Sequence, residues 1–154
     1  MLKKNILIVF FLFTASCGYE AIYSEKNAIN YDFSISSINF EGDRDVNLKI
    51  KQKLNSYILV EKNKKFDLDI KTVEEKIILA KNAAGDATNF ENIINVNIKV
   101  FIEGKLQKNI EIEKKFKYEN IANKYELGNY ERKLKTNLAE TISEELTFKL
   151  SNIQ

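Results

Sequence analysis

The sequence predicts an α+β domain: a mixed four-stranded sheet with two helices packed on one face, in the order β-α-β-β-β-α. Two patterns carry this. Apolar residues alternate with polar ones in four segments between Tyr31 and Tyr118, the period of half-buried strands. Two other segments, from Asp43 and from about Gly128, repeat apolar residues every three or four positions, the period of a helix with one buried stripe. A helix with a single stripe must cover something, and the only partner on offer is a sheet face.

The first strand is YDFSISSINFE at 31–41. Tyr31, Phe33 and Ile35 alternate, then Ile38 and Phe40 do so on the opposite parity, and a bulge near Ser36 and Ser37 reconciles the two phases. In the following helix Val46, Ile50, Leu54 and Tyr57 with Ile58 share one side, and Asp43 is a suitable N-cap. Period two returns at Phe66, Leu68 and Ile70. It resumes out of phase at Val73, Ile77 and Leu79, which predicts one long bent strand or two short ones. A loop with Gly85 and Asp86 as turn formers leads to the clearest strand, Ile94 to Ile102. Gly104 marks a hairpin. Its return strand carries Ile110, Ile112, Phe116 and Tyr118, with Lys114 on the same face, so a bulge or a sheet edge is expected there. Tyr130, Leu134, Leu138, Ile142, Leu146 and Leu150 form the stripe of the last helix. The first β-α-β unit should be a right-handed parallel crossover, and the later strands, joined by short loops, should be antiparallel.

Composition removes several classes of function. The 154 residues include no His, no Pro, no Trp and one Cys. No imidazole-based nucleophile pair, no His/Cys zinc site and no internal disulfide can be built. The five glycines are scattered, without a phosphate-cradling loop. Asp67 and Asp69 alternate with apolar neighbours and read as the wet face of a strand, not as a catalytic pair. Lys114, Lys115 and Lys117 could meet lipid phosphates, but lysines at this spacing also guard a strand edge. No cofactor and no enzymatic activity are expected. Lys, Ile and Asn make up 60 residues and Arg only two, a bias of A- and T-rich codons that weakens any argument from a single lysine.

The N-terminus reads as targeting. Lys3 and Lys4 precede an apolar run of eight, Ile6 to Phe13, far short of the roughly 20 residues that span a membrane. Thr14, Ala15 and Ser16 then lead to the only cysteine, Cys17. This is the layout of a signal peptide over 1–16. T-A-S-C resembles the lipobox of bacterial lipoproteins, in which the cysteine is acylated and becomes the first residue. Each buried CH₂ contributes about 0.8 kcal/mol, so two or three acyl chains anchor stably. The expected organisation is a signal peptide at 1–16, a lipidated N-terminus and linker at 17–30, and a single domain at 31–154. Gly18, in place of the Asp that tends to retain such proteins at the inner membrane, favours the outer membrane. Without Lys3 and Lys4 the 24 basic residues become 22, equal to the 22 acidic ones, and a neutral chain lacks the basic footprint of a nucleic-acid binder.

Four stretches resemble the LptE (rare lipoprotein B) family of outer-membrane lipopolysaccharide-assembly lipoproteins. They are C-G-Y-E-A-I-Y at 17–23, G-D-R-D-V-N-L-K-I-K-Q-K-L at 42–54, G-D-A-T-N-F at 85–90 and the tail from Tyr125 to Leu146. Ala21 stands where that family usually has Pro, and Asn89 where Arg is common. The resemblance implies a β-α-β-β-β-α plug inside the LptD β-barrel, supporting assembly of that barrel and insertion of lipopolysaccharide into the outer leaflet. It implies three partners: an LptD-like barrel, lipopolysaccharide, and the membrane through the anchor at Cys17. No family residue carries over for lipopolysaccharide contact. By position alone, the loop 81–90 with Lys81 and the hairpin with Gly104 and Lys105 are the expected places. An accessory lipoprotein of another envelope lipid-transport system of the ABC type remains the alternative.

Overall fold

A computed structural model describes residues 31–153. The expectations for the signal peptide, Cys17 and the linker 17–30 lie outside the described residues. The elements are β1 (Ser34–Gly42), α1 (Arg44–Ile58), β2 (Lys65–Lys81), β3 (Ala87–Ile102), β4 (Lys105–Glu119) and α2 (Lys124–Ser151). The strands form one sheet in chain order. β1 is parallel to β2, and the other two pairs are antiparallel. This is the predicted α+β class and element order.

Local chemistry accounts for the boundaries. The β1–β2 register slips between Ile35 and Ser37, so the bulge sits at Ser36 and lets Phe33, Ile35, Ile38 and Phe40 all reach the core side. Asp43 caps α1 by accepting from the Val46 backbone N–H at 2.9 Å. Val46, Ile50 and Leu54 form the buried stripe, as predicted. Glu103 and Gly104 both have positive φ, 50° and 74°, which is the backbone of a two-residue hairpin whose twist matches its strands.

β2 is one long strand, the first of the two predicted alternatives, and its pairing with β3 is unbroken from Asp67 to Ile78. Parity is kept, so Val73 and Ile77 do not rejoin the core but lie on the opposite face, each about 40% exposed. Glu74 and Lys76 take the helix-facing positions instead, where α2 supplies charged partners. The last helix starts at Lys124, four residues before Gly128, because Asn123 caps it by accepting from the N–H groups of Tyr125 and Glu126. Its buried face includes Leu127, Leu134, Ala139, Ile142, Ser143 and Leu146. Tyr130 is more than a third exposed at the margin of the stripe. Lys114 needs no bulge: it lies on the helix face of the edge strand β4 and pairs with Glu145 of α2 at 2.5 Å.

The main core lies between the sheet and both helices. It joins Phe66, Leu68 and Ile70 of β2 and Ile94, Val96, Ile98 and Val100 of β3 to Val46, Ile50 and Leu54 of α1 and Ile142, Leu146 and Leu150 of α2. Both helices lie on one face of the sheet, and among the described residues nothing covers the other. β1 has only nine residues and ends opposite Thr72, whereas β2, β3 and β4 have 17, 16 and 15. Beyond Thr72 the sheet is three-stranded and is covered by the N-terminal part of α2 through a second, smaller core of Phe90, Tyr118, Leu127 and Leu134. At 3.3 Å per residue the long strands span roughly 50 Å. The two ends of the body therefore present separate surfaces.

Candidate functional surfaces

On the open face, polar pairs cross from strand to strand. Ser37 Oγ donates to Asp67 at 2.7 Å, Asn39 Nδ2 donates to Asp69 at 2.8 Å, and Lys71 Nζ bonds Glu41 at 2.9 Å. Asn97 Nδ2 donates to Glu111 at 3.2 Å. A shallow groove of about 540 Å³ runs between Lys71, Val73, Asn95, Asn97, Glu111 and Glu113. Asp67 and Asp69 are on β2 and Glu111 and Glu113 on β4, with β3 between them and the register displaced along it, so the two pairs stand at least about 10 Å apart. They do not converge as an acid–base pair would. Among the described residues no three acidic or sulfur side chains are placed to hold a metal ion.

The strongest electrostatic cluster faces α2. Lys135 bridges Asp43, at 3.3 Å, and Glu74, and Asn92 Nδ2 donates to Glu74 at 2.8 Å. Next to it Glu131 accepts from Lys76 at 2.5 Å and from the Tyr118 hydroxyl at 2.7 Å, and the Lys76 ammonium sits 4.0 Å from the centre of the Phe90 ring. Burial pushes the Glu131 carboxyl up, but the hydrogen bonds from Lys76 and Tyr118 outweigh it and hold the group below the usual carboxylate range. Burial and then Glu131 push the Tyr118 phenol above its ordinary value. Each charge is tied to an element beside it, so the cluster clamps α2 to the three-stranded half of the sheet.

The lysines of the sequence fall into two groups. Lys114, Lys115 and Lys117 are each engaged, by Glu145, Glu113 and Glu91 respectively. That removes their appeal as a phosphate patch. Lys81 ends β2 and Lys105 begins β4, and these lie at opposite ends of the sheet, roughly 50 Å apart along β3. They cannot share one headgroup. The surface next to Lys81 is a groove of about 530 Å³ lined by Asn82, Asp86, Thr88, Asn89, Glu119 and Lys124, where carboxylates offset the cations. Around Lys105 the balance is different. The loop 59–65 and the hairpin 102–108 bring five lysines against Glu61 and Glu103.

Sequence reasoning missed one surface. With β1 ending opposite Thr72, residues 73–81 of β2 form a sheet edge that no strand among the described residues covers, and it carries Val73, Ile77, Ile78 and Leu79, each 40–49% exposed. The signal was present as the phase slip at Val73, but an alternation says only that residues share a face, not which face.

Fold and surface define a two-layer α+β domain whose charged side chains, among the described residues, largely pair with one another. Its fold is shared with solved bacterial lipoproteins. The rare lipoprotein B of Shewanella oneidensis is similar over 75% of this chain and 97% of its own, with a TM-score of 0.54 and 16% identity. A minor lipoprotein of Acinetobacter baumannii is similar over 76% of this chain and 94% of its own, with a TM-score of 0.53 and 13% identity. No protein-family model matches the sequence, and no curated protein is similar to it.

Proposed function

We propose that this chain is an outer-membrane lipoprotein, acylated at Cys17, that seats in an LptD-like β-barrel, supports its assembly, and so serves transport of lipopolysaccharide and its insertion into the outer leaflet. It acts as a scaffold, not as an enzyme. The observation that carries this is the fold it shares with rare lipoprotein B over 97% of that chain, joined to the sequence likeness around Cys17. Two surface features support it. The open sheet face is a field of satisfied polar pairs, suited to a wet barrel lumen. The apolar edge of β2 offers a protein partner both backbone hydrogen-bonding groups and apolar side chains.

The test is purification of the C-terminally tagged protein from solubilised membranes. A large β-barrel protein should co-purify in near-equal amount. Recovery of the tagged protein alone, or with subunits of an inner-membrane ABC transporter, would overturn the assignment.

A further inference from the structure

The end of the body at which the N-terminal segment joins has a distinct make-up. Ser34 pairs with Lys65, the backbone N–H of Ser34 donates to Lys64 O at 2.8 Å, and Lys64 Nζ bonds Ile153 O at 2.6 Å. Ile102 pairs with Lys105. The start of β1, the loop after α1, the β3–β4 hairpin and the end of α2 therefore meet at one end. Leu59 is 77% exposed there and Leu106 57%, with Val60 beside Leu59. No ion pair or hydrogen bond engages the side chains of Lys62, Lys105 and Lys108 among the described residues, in contrast to Lys114, Lys115 and Lys117 further along β4. Exposed apolar side chains in the loop after α1 and at the start of β4, at the same end as three uncommitted ammonium groups that outnumber Glu61 and Glu103, match the boundary between phosphate headgroups and acyl chains. The opposite end carries Asp86, Glu119 and Glu126 against Lys81 and Lys124, so the body is polarised although the processed chain is neutral.

We infer that this end is a docking surface for an anionic phospholipid bilayer: Leu59, Val60 and Leu106 enter the headgroup layer while Lys62, Lys105 and Lys108 meet lipid phosphates. The length of chain ahead of it favours this occupant. The fourteen residues 17–30 span at most about 50 Å even when fully extended. A domain held by an acylated Cys17 thus keeps this end within reach of the bilayer. The inference builds on the anchor in the proposed function, but its test does not need the anchor.

The test uses the processed chain carrying Cys17→Ser, purified from the periplasm, and vesicle flotation. Vesicles containing phosphatidylglycerol should bind it at low salt, and pure phosphatidylcholine vesicles or high salt should release it. Replacing Lys62, Lys105 and Lys108 by Gln should weaken binding roughly fivefold per lysine, about a hundredfold together. The same three charges removed from Lys114, Lys115 and Lys117 should change binding less than about twofold. Leu59→Ser with Leu106→Ser should also weaken binding, and since both side chains are exposed the thermal melt should stay unchanged. Equal losses from the two lysine triples, no binding to phosphatidylglycerol vesicles, or binding to lipopolysaccharide dispersions alone would overturn the inference. Co-purification of a barrel by the wild-type protein is scored separately, so failure of one reading leaves the other standing.

Discussion

Gly42→Ala tests how β1 is made to stop and hand over to α1. Gly42 has φ +99°, and a Cβ there would lie 1.8 Å from the Thr72 carbonyl oxygen. Real Cβ atoms keep at least 3.0 Å from such an atom, so the end of β1 would have to leave β2 by more than 1 Å. That movement breaks into a packed junction. The Asp43 N–H donates to Thr72 O at 3.3 Å, and the buried Thr72 hydroxyl lies 2.9 Å from Asn47 Oδ1. Backbone strain of about 1–2 kcal/mol and two weakened hydrogen bonds at about 1 kcal/mol each give a loss of about 3–4 kcal/mol. At a urea m-value of about 1.5 kcal/mol/M the midpoint falls by roughly 2 M. Gly85→Ala is the control, because Gly85 has φ +90° with nothing within 4 Å of a Cβ, so only the strain of about 1–2 kcal/mol remains. Urea unfolding of both variants, followed by circular dichroism, reads the difference. Equal losses from the two substitutions would refute the claim that the approach to Thr72 is what requires glycine.

Stability should fall on acidification. Burial raises the carboxyls of Asp43 and Glu131, but their hydrogen bonds and cations outweigh it, and the hydrogen bond from Lys114 holds down Glu145. All three stand below the usual range in the fold. Their contribution is present above the unfolded carboxylate pKa, about 4, and is lost as pH drops through the lower folded values. Glu131→Gln should therefore show a smaller fall in urea midpoint between neutral and acidic pH than wild type, and an identical fall would contradict the assigned pairing. Separately, Cys17→Ser should move the protein from the membrane fraction to the soluble periplasm. Its recovery in the membrane pellet of cells lacking the proposed barrel partner would disprove the proposed anchor.

Much of the fold was legible because its signals are local. The N-cap at Asp43, the bulge at Ser36, the turn at Gly104 and the stripe Val46, Ile50, Leu54 depend on neighbours a few residues away, and each appears as predicted. The start of the last helix was misjudged because Gly128 looks like a boundary, while a cap five residues earlier outweighs the roughly 1 kcal/mol cost of one interior glycine.

The candidate surfaces were less legible. Lys114, Lys115 and Lys117 form a basic cluster in sequence, yet each meets a carboxylate from β4 itself, β3 or α2. Lys62 and Lys105 are more than forty residues apart in sequence but belong to one end of the body. Taken alone, the sequence determined the order of elements and the residues able to face a core, since hydrophobic period and capping are set within a few residues along the chain. Only the tertiary structure decided that Val73 and Ile77 face outward, that β1 stops halfway along β2, and that Leu59, Leu106 and the uncommitted lysines share the end at which β1 begins. Strand register and sheet edges are fixed by partners distant in the chain, and no local pattern encodes where those partners end.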